Sequence, residues 1–346
     1  MEQFLTIENK PKLVNDIHLK DQPKGKIAII ETIRGWAALS VCLYHFRLSN
    51  ITFLGSSKWY EEVAKYGWLG VEAFFVVSGF IIPYALANSN YKSSMFFRFL
   101  AKRCLRLEPA YIVSIIFVVI LGYFASLSPI FSGSYDPSFV NIILHIGYLP
   151  EHFGYKWLLP VYWTLEAEFH FYILIGLFFS LLWKNSLGFN IFVLVALVLT
   201  FIIPLKVFTY MPFFIFGMSS CAYRLKKINK LNFFLIIVSL LIVCFFKTHL
   251  LMALVAAFTM LLINFSNFSN SISAWLGKIS FSLYLVHIPV GSKIVNLLGR
   301  YSSNEFHVWM IILMAIAASI AAAYIFYRLI EYPSIKWSKR ISYRSA

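Results

Sequence analysis

The first long apolar stretch of the chain contains an arginine and a histidine, two residues that are able to do chemistry. Arg34 and His45 are eleven positions apart within IAIIETIRGWAALSVCLYHF. At about 100° per residue this spacing makes three helical turns plus roughly 20°, so both side chains project from one helix face, about 16 Å apart along the axis. Arginine binds anions, and histidine exchanges protons near neutral pH because its unperturbed pKa is about 6.5.

Each of these two residues also has a purely structural interpretation. A histidine at the end of a membrane helix is often interfacial, and an arginine near a cytoplasmic end extends its charge to the headgroups. Two features favour a functional pair instead. The side chains share one face, and Gly35 beside Arg34 lets another helix approach closely.

Polar side chains recur in four other segments of the chain. They are Glu72 and Ser78 in GWLGVEAFFVVSGFII, Arg103 and Arg106 in RFLAKRCLRLEPAY, Glu166, Glu168 and His170 in VYWTLEAEFHFY, and the polar residues of GKISFSLYLVHIPV with the later Glu331–Tyr332–Pro333 end. A titratable side chain inside an apolar segment is costly unless it is paired, so each is a functional candidate. The two arginines, three positions apart, are neighbours on a helix turn.

The elements that position these residues are membrane helices. The chain has 346 residues, of which 60% are hydrophobic and 13% charged, and its mean hydropathy is +0.74. Soluble domains keep about a quarter of their residues charged, so much of this surface faces lipid. The sequence therefore predicts an all-α polytopic membrane protein with a single domain of packed helices.

Ten segments are apolar enough to be predicted as membrane spans. They are residues 27–46, 67–87, 109–127, 160–183, 189–205, 208–223, 231–246, 249–265, 274–296 and 306–330. Residues 139–149 form a further apolar segment that is too short to cross and is predicted to be re-entrant or interfacial. The span count is expected to hold within one or two.

Basic residues predict the orientation of the bundle. With both termini on the cytoplasmic side, most of the 30 Lys and Arg residues fall inside, as the positive-inside rule requires. The expected divisions are a cytoplasmic segment 1–26, a transmembrane domain 27–335 and a basic cytoplasmic tail 336–346. The net charge of +15 is explained by topology and anionic headgroups, which excludes nucleic acid as a partner and makes membrane lipids one.

The four cysteines lack the paired spacing of a disulfide framework or a zinc site, so no metal site is predicted. The polar residues 1–26 lack the apolar core of a cleavable signal, so the first membrane helix is expected to act as its own insertion signal.

In this order the five segments resemble the acyltransferase 3 family of membrane acyltransferases, over about residues 27–335. The R-x10-H pattern of that family matches Arg34 and His45, and its R-x-x-R pair matches Arg103 and Arg106. Its W-S-L-x-x-E-x-x-F-Y run matches residues 163–172, with Thr164 in place of the usual serine and Glu168 as the counterpart glutamate. Its S-x-Y-L-x-H segment matches residues 282–287.

The resemblance implies transfer of an acyl group, commonly acetyl, from acyl-CoA to a hydroxyl of an envelope glycan or another small acceptor. It implies acyl-CoA as a donor substrate rather than a permanently bound cofactor, with a glycan or lipid-linked sugar as acceptor. The roles expected under it are a general base at His45, an orienting carboxylate at Glu168 or Glu72, donor binding by Arg34, Arg103 and Arg106, and substrate contacts from Trp163, Tyr284 and His287.

Several alternatives stay open on the sequence. The carboxylate partner of His45 is undecided, and an acyl-histidine intermediate or a nucleophilic Ser78 would replace direct transfer. His287 either contacts substrate or bonds to a neighbouring helix. A flippase of a lipid-linked saccharide and a sensing membrane protein are the competing classes, although no internal repeat typical of transporters is found. The family points to a bacterial inner membrane. The remaining membrane histidines are interpreted as interfacial, namely His145, His152, His249 and His307.

Overall fold

The computed structural model describes residues 25–49, 58–127, 138–301 and 304–343, and these residues form helices and connecting turns without a β-strand. The predicted all-α class is therefore confirmed. Most of the predicted N-terminal segment 1–26 and the last three residues of the basic tail lie outside the described residues.

The helices are numbered here in chain order. They are α1 Gly25–Ser49, α2 Lys58–Ala64, α3 Gly70–Ala87, α4 Phe96–Ser126, α5 Phe139–Ile146, α6 Trp163–Leu182, α7 Ser186–Ile202, α8 Lys206–Arg224, α9 Lys230–Lys247, α10 Leu250–Phe265, α11 Ser271–His287, α12 Lys293–Leu298, α13 Glu305–Phe326 and α14 Tyr332–Ser338. Single π-helical turns join α11 to α12 and α13 to α14, at Ile288–Ser292 and Tyr327–Glu331.

Each of the ten predicted spans overlaps at least one of these helices. Within the described residues, six helical stretches are long and apolar enough to cross a membrane. They are Trp59–Ala87, Ser93–Ser126, Trp163–Leu182, Lys230–Lys247, Ser271–Tyr301 and Glu305–Ser338. Helices α7 and α10 are apolar but shorter. A multi-pass membrane protein is supported, while ten crossings with both termini cytoplasmic stay a prediction.

Helix α4 begins earlier than the sequence suggested. The basic segment that precedes the predicted span 109–127 is the first part of a 31-residue helix beginning at Phe96. Pro109 lies inside that helix without ending it. Arg103 and Arg106 therefore stand on a continuous helix, and their three-residue spacing places them on adjacent turns of one face.

Glycines bring two pairs of helices into close contact. A Cβ atom on Gly277 would lie 2.0 Å from the carbonyl oxygen of Glu31, so α11 packs directly on the backbone of α1. Likewise a Cβ atom on Gly79 would lie 2.1 Å from the carbonyl oxygen of Phe214, which brings α3 against α8. Such small-residue contacts are the usual way for membrane helices to approach. The expected role of Gly35 as a close-approach residue is confirmed, because it meets the backbone of Ser273 on α11.

Candidate active site

A polar cavity lies between α1, α3, α4, α6 and α11, with about 870 Å³ of space free of protein atoms, open solvent included. Its polar lining consists of Arg34, Ser78, Arg103, Arg106, Thr164, Glu168, Tyr172, Ser280, Tyr284 and Glu331. The apolar remainder comes mainly from α3, with Phe74 and Phe75 among it. Residues from opposite ends of the chain thus form one chamber inside the helix bundle.

The three predicted donor-binding arginines all line this cavity. Arg34 comes from α1, and Arg103 and Arg106 come from α4. Among the described residues, no ion pair joins any of the three guanidinium groups to a carboxylate. Arg103 lies over the ring of Tyr172, 5.2 Å from its centroid. The cavity therefore holds three cationic groups whose hydrogen-bonding capacity is not used up by the protein.

Two carboxylates face the same cavity. Glu331, at the end of the second π-helical turn, accepts hydrogen bonds from the backbone N–H and the hydroxyl of Ser282, and it interacts electrostatically with Arg34 and Arg106. Glu168 on α6 accepts a hydrogen bond of 2.6 Å from the hydroxyl of Ser78 on α3. With three arginines against two carboxylates, the chamber carries an excess of positive charge.

His45 does not line this cavity, although it shares α1 with Arg34. Its Nδ1 lies 3.2 Å from Nε2 of His287 on α11 and 3.0 Å from the carbonyl oxygen of Val41. His287 is fully buried, and its Nδ1 lies 3.0 Å from the carbonyl oxygen of Leu283. His287 was predicted either to contact substrate or to bond to a neighbouring helix. The structure contains the second contact, because Nε2 of His287 lies beside His45 on α1 and its Nδ1 lies beside the carbonyl oxygen of Leu283.

Tyr284 connects the cavity to the histidine pair. Its ring lines the cavity and its centroid lies 6.0 Å from that of His287. Its hydroxyl shares a hydrogen bond of 2.7 Å with the hydroxyl of Thr164, the residue that replaces the serine of the family pattern. The retained hydroxyl thus has a structural use at this position.

The carboxylate expected beside His45 is not there among the described residues, which corrects the sequence interpretation. Glu168 is bonded to Ser78 inside the cavity. Glu72 is buried on α3, close enough to Tyr210 and Tyr284 to affect both electrostatically, and its Oε2 lacks a hydrogen-bond partner within the described part of the chain. Helix α11, packed against α1 through glycine, presents His287 to His45 instead.

Trp163 also lies away from the cavity lining. Its ring packs against Tyr210, with centroids 4.7 Å apart, and the ammonium group of Lys206 lies 5.8 Å from its centroid. Next to it is a polar network that the sequence did not predict: Glu166 binds His152 at 3.0 Å and Lys206 at 3.3 Å. His152 therefore belongs to a polar network centred on Glu166.

His145, also predicted to be interfacial, has its surroundings defined by the turn after α5. It is fully buried, receives a hydrogen bond of 3.0 Å from the backbone N–H of Leu158 and bonds the carbonyl of Asn141. Burial lowers the pKa of this imidazole below its usual value. His145 fixes the turn after α5 to the segment before α6. Among the described residues, no group of three or more His, Cys, Asp or Glu is arranged to hold a metal ion.

Glu331 and its partner Ser282 are the site residues that sequence reasoning did not assign a role. The Glu331–Tyr332–Pro333 end and the S-x-Y-L-x-H segment were both noted as motifs, so each residue carried a signal. Their contact joins positions 49 residues apart, and a spacing of that kind gives no indication of contact before the helices are packed.

Comparisons with known proteins agree with the helical bundle and its polar centre. A family model described as "Acyltransferase domain" matches residues 27–328, nearly the whole chain. A protein of Acidianus two-tailed virus named "Putative acetyltransferase ORF330" is 27% identical over 75% of this chain and 82% of its own length. No solved structure matches the chain.

Proposed function

Because the chain belongs to the acyltransferase 3 family and is thus a membrane acyltransferase, we propose that it moves an acyl group from acyl-CoA to a hydroxyl of an envelope or exported glycan. The acyl group proposed is acetyl, which agrees with the name of the viral relative. The observation that carries the proposal is the cavity lined by Arg34, Arg103 and Arg106 without an ion pair to any of them among the described residues.

The donor proposed for these arginines is the nucleotide end of acyl-CoA, which carries several phosphate charges. Arginine suits phosphate because its planar guanidinium presents paired N–H donors to two oxygens at once. Glu168 and Glu331 partly balance the positive charge of the three arginines, and the excess of cations favours an anionic occupant. In this proposal acyl-CoA is a substrate that comes and goes, and no cofactor is bound permanently.

The thioester is then carried past Tyr284 by the pantetheine arm and reaches the histidine pair. His45 removes the proton from the acceptor hydroxyl as its oxygen attacks the thioester carbonyl, and the C–S bond breaks as the tetrahedral intermediate collapses. The CoA thiolate takes the proton back from the imidazolium, so the products are an ester and free CoA. His45 is partly exposed, as a residue that meets an acceptor must be.

The proposed arrangement places donor and acceptor on opposite sides of one membrane. Acyl-CoA is cytoplasmic, and the arginines lie toward the end of α1 that was predicted to be cytoplasmic. His45 lies three turns further along α1, toward the predicted outer face. A glycan or lipid-linked sugar at that face is the proposed acceptor, and the bacterial inner membrane is the proposed location.

The test compares cells that carry the native chain with cells that carry His45→Ala. Proton NMR of purified surface polysaccharide is expected to show acyl ester signals for the native chain and none for the variant, while isolated membranes release CoA thiol with the native chain alone. His249→Ala is the matched control, since His249 packs edge-on against Trp68 and does not line the cavity. Equal esterification in native and variant cells would remove His45 from the reaction. Relocation of an unmodified saccharide without thiol release would identify a flippase instead.

A further inference from the structure

The hydrogen bonds of the two histidines determine where their protons are. Nδ1 of His287 faces the carbonyl oxygen of Leu283 at 3.0 Å. A carbonyl oxygen can only accept, so this nitrogen carries the hydrogen. In a neutral imidazole one ring nitrogen is a donor and the other an acceptor. Nε2 of His287 is therefore a bare acceptor.

The same reasoning extends to His45. Its Nδ1 lies 3.2 Å from Nε2 of His287 and 3.0 Å from the carbonyl oxygen of Val41. Both partners only accept, so Nδ1 of His45 is protonated and shares its hydrogen between them. The lone pair of neutral His45 must then be on Nε2, the nitrogen that faces away from this hydrogen-bonded pair.

We infer that His287 is a positioning residue that holds His45 in the Nδ1–H tautomer, so that Nε2 is ready to take a proton from the acceptor hydroxyl. The inference rests on the proposed acyl transfer and deepens it. In other acyl-transfer sites a carboxylate behind the histidine fixes its tautomer and stabilises the imidazolium. Here a neutral ring does the first task, and its lone pair also points at the N–H of the imidazolium once His45 is protonated.

The surroundings of His287 suit a fixed acceptor. The ring is fully buried on α11, 6.5 Å from the ring of Phe46 and 6.0 Å from that of Tyr284. Helix α11 itself is held against α1 by Gly277, whose absent side chain leaves room for the backbone at Glu31. Neither ring can turn without losing at least one of the two backbone hydrogen bonds.

The first test observes the tautomer directly. In the full chain with ¹⁵N-labelled histidine, reconstituted in lipid, NMR is expected to show neutral His45 with hydrogen on Nδ1, the signal being assigned by its disappearance in His45→Ala. In His287→Leu the fraction with hydrogen on Nε2 is expected to rise. His287→Gln offers an amide oxygen as acceptor and is expected to restore the Nδ1–H form. An unchanged tautomer in His287→Leu would overturn the inference, because Val41 alone would then be sufficient.

The second test is kinetic and uses the same variants. His287→Leu is expected to lower kcat about 10- to 100-fold, as for loss of one hydrogen bond to a developing cation. The KM for acyl-CoA is expected to stay within about twofold, and His287→Gln should recover most of kcat. A KM effect without a kcat effect contradicts the inference. The NMR measurement needs no substrate. It therefore tests the tautomer of His45 even if the proposed acyl transfer proves wrong.

Discussion

The arginine cavity and the histidine pair are built in opposite ways, although α1 contributes to both. In the cavity, Arg34, Arg103 and Arg106 line one space and have no ion-pair partner among the described residues. In the pair, three of the four ring nitrogens are bonded to backbone carbonyls or to each other. Unsatisfied cations are suited to an exchangeable ligand, whereas satisfied rings are preorganised for one proton transfer. The difference separates binding from chemistry along a single helix.

The largest effect is expected when the proposed general base, His45, is removed. His45→Ala should lower kcat by about 10²- to 10⁴-fold, the usual contribution of a general base, because Nε2 is lost. Acyl-CoA affinity, measured by isothermal titration on detergent-solubilised protein, should stay within about twofold since the cavity is intact. Loss of donor affinity in this variant would merge the two regions into one site.

The next largest effect is expected when an arginine of the proposed donor site is removed. Arg103→Ala and Arg106→Ala should each raise the KM for acyl-CoA about 10- to 100-fold, because a hydrogen bond to a charged group contributes about 1.5–3 kcal/mol. At saturating donor, kcat should remain close to native. Thiol release from membranes over a range of acyl-CoA concentrations measures both constants.

Arg98→Ala is the matched control for this pair, because Arg98 lies on the same helix but outside the cavity lining. It changes the charge of the same helix end by the same amount. A rise in KM equal to that of Arg103→Ala would assign the effect to general surface charge, and unchanged donor saturation in all three variants would remove the arginines from donor binding.

The sequence predicted the parts of the two regions better than their partners. Helical spacing placed Arg34 and His45 on α1, and ordered motifs identified Arg103, Arg106 and Glu168, since each depends on local periodicity or a short pattern. The partner of His45 lies 242 residues away on α11. The residue of α11 that lies beside His45 depends on how α11 is aligned along α1 at Gly277. A single sequence does not indicate that alignment.

Electrostatic reasoning also misled where the packing was unknown. A carboxylate behind His45 was expected because that arrangement is common at acyl-transfer sites. Glu168 instead turns into the cavity toward Ser78, and Glu72 is buried near Tyr210. The contacts of His145 were likewise not predicted: its turn folds over it, and two backbone groups bind its ring.

A smaller effect is expected from the helix contact that supports the histidine pair. Gly277→Ala places a methyl group 2.0 Å from the carbonyl oxygen of Glu31, so α1 and α11 must separate. Overpacking of this kind typically costs about 1–3 kcal/mol. A lower Tm in detergent is expected, together with a reduced kcat and a nearly native KM for acyl-CoA. Gly147→Ala is the control, since its new methyl group meets mainly the flexible side chain of Leu149.

The smallest effect is expected at Ser78, and it decides between two mechanisms. Its hydroxyl donates to Glu168 at 2.6 Å inside the arginine cavity, an arrangement that resembles a serine activated by a base. If His45 activates the acceptor directly, Ser78→Ala removes one hydrogen bond, and the rate should fall by about tenfold at most. If Ser78 were acylated first, the same change would abolish transfer, and the native chain incubated with acetyl-CoA without acceptor would gain a covalent acetyl group.

Intact-protein mass spectrometry of the native chain, with Ser78→Ala beside it, measures that adduct. We expect none, because the proposed route uses His45 as the base and leaves Ser78 as a hydrogen-bond partner of Glu168. An adduct would move the chemistry into the cavity and end the separation between binding and proton transfer.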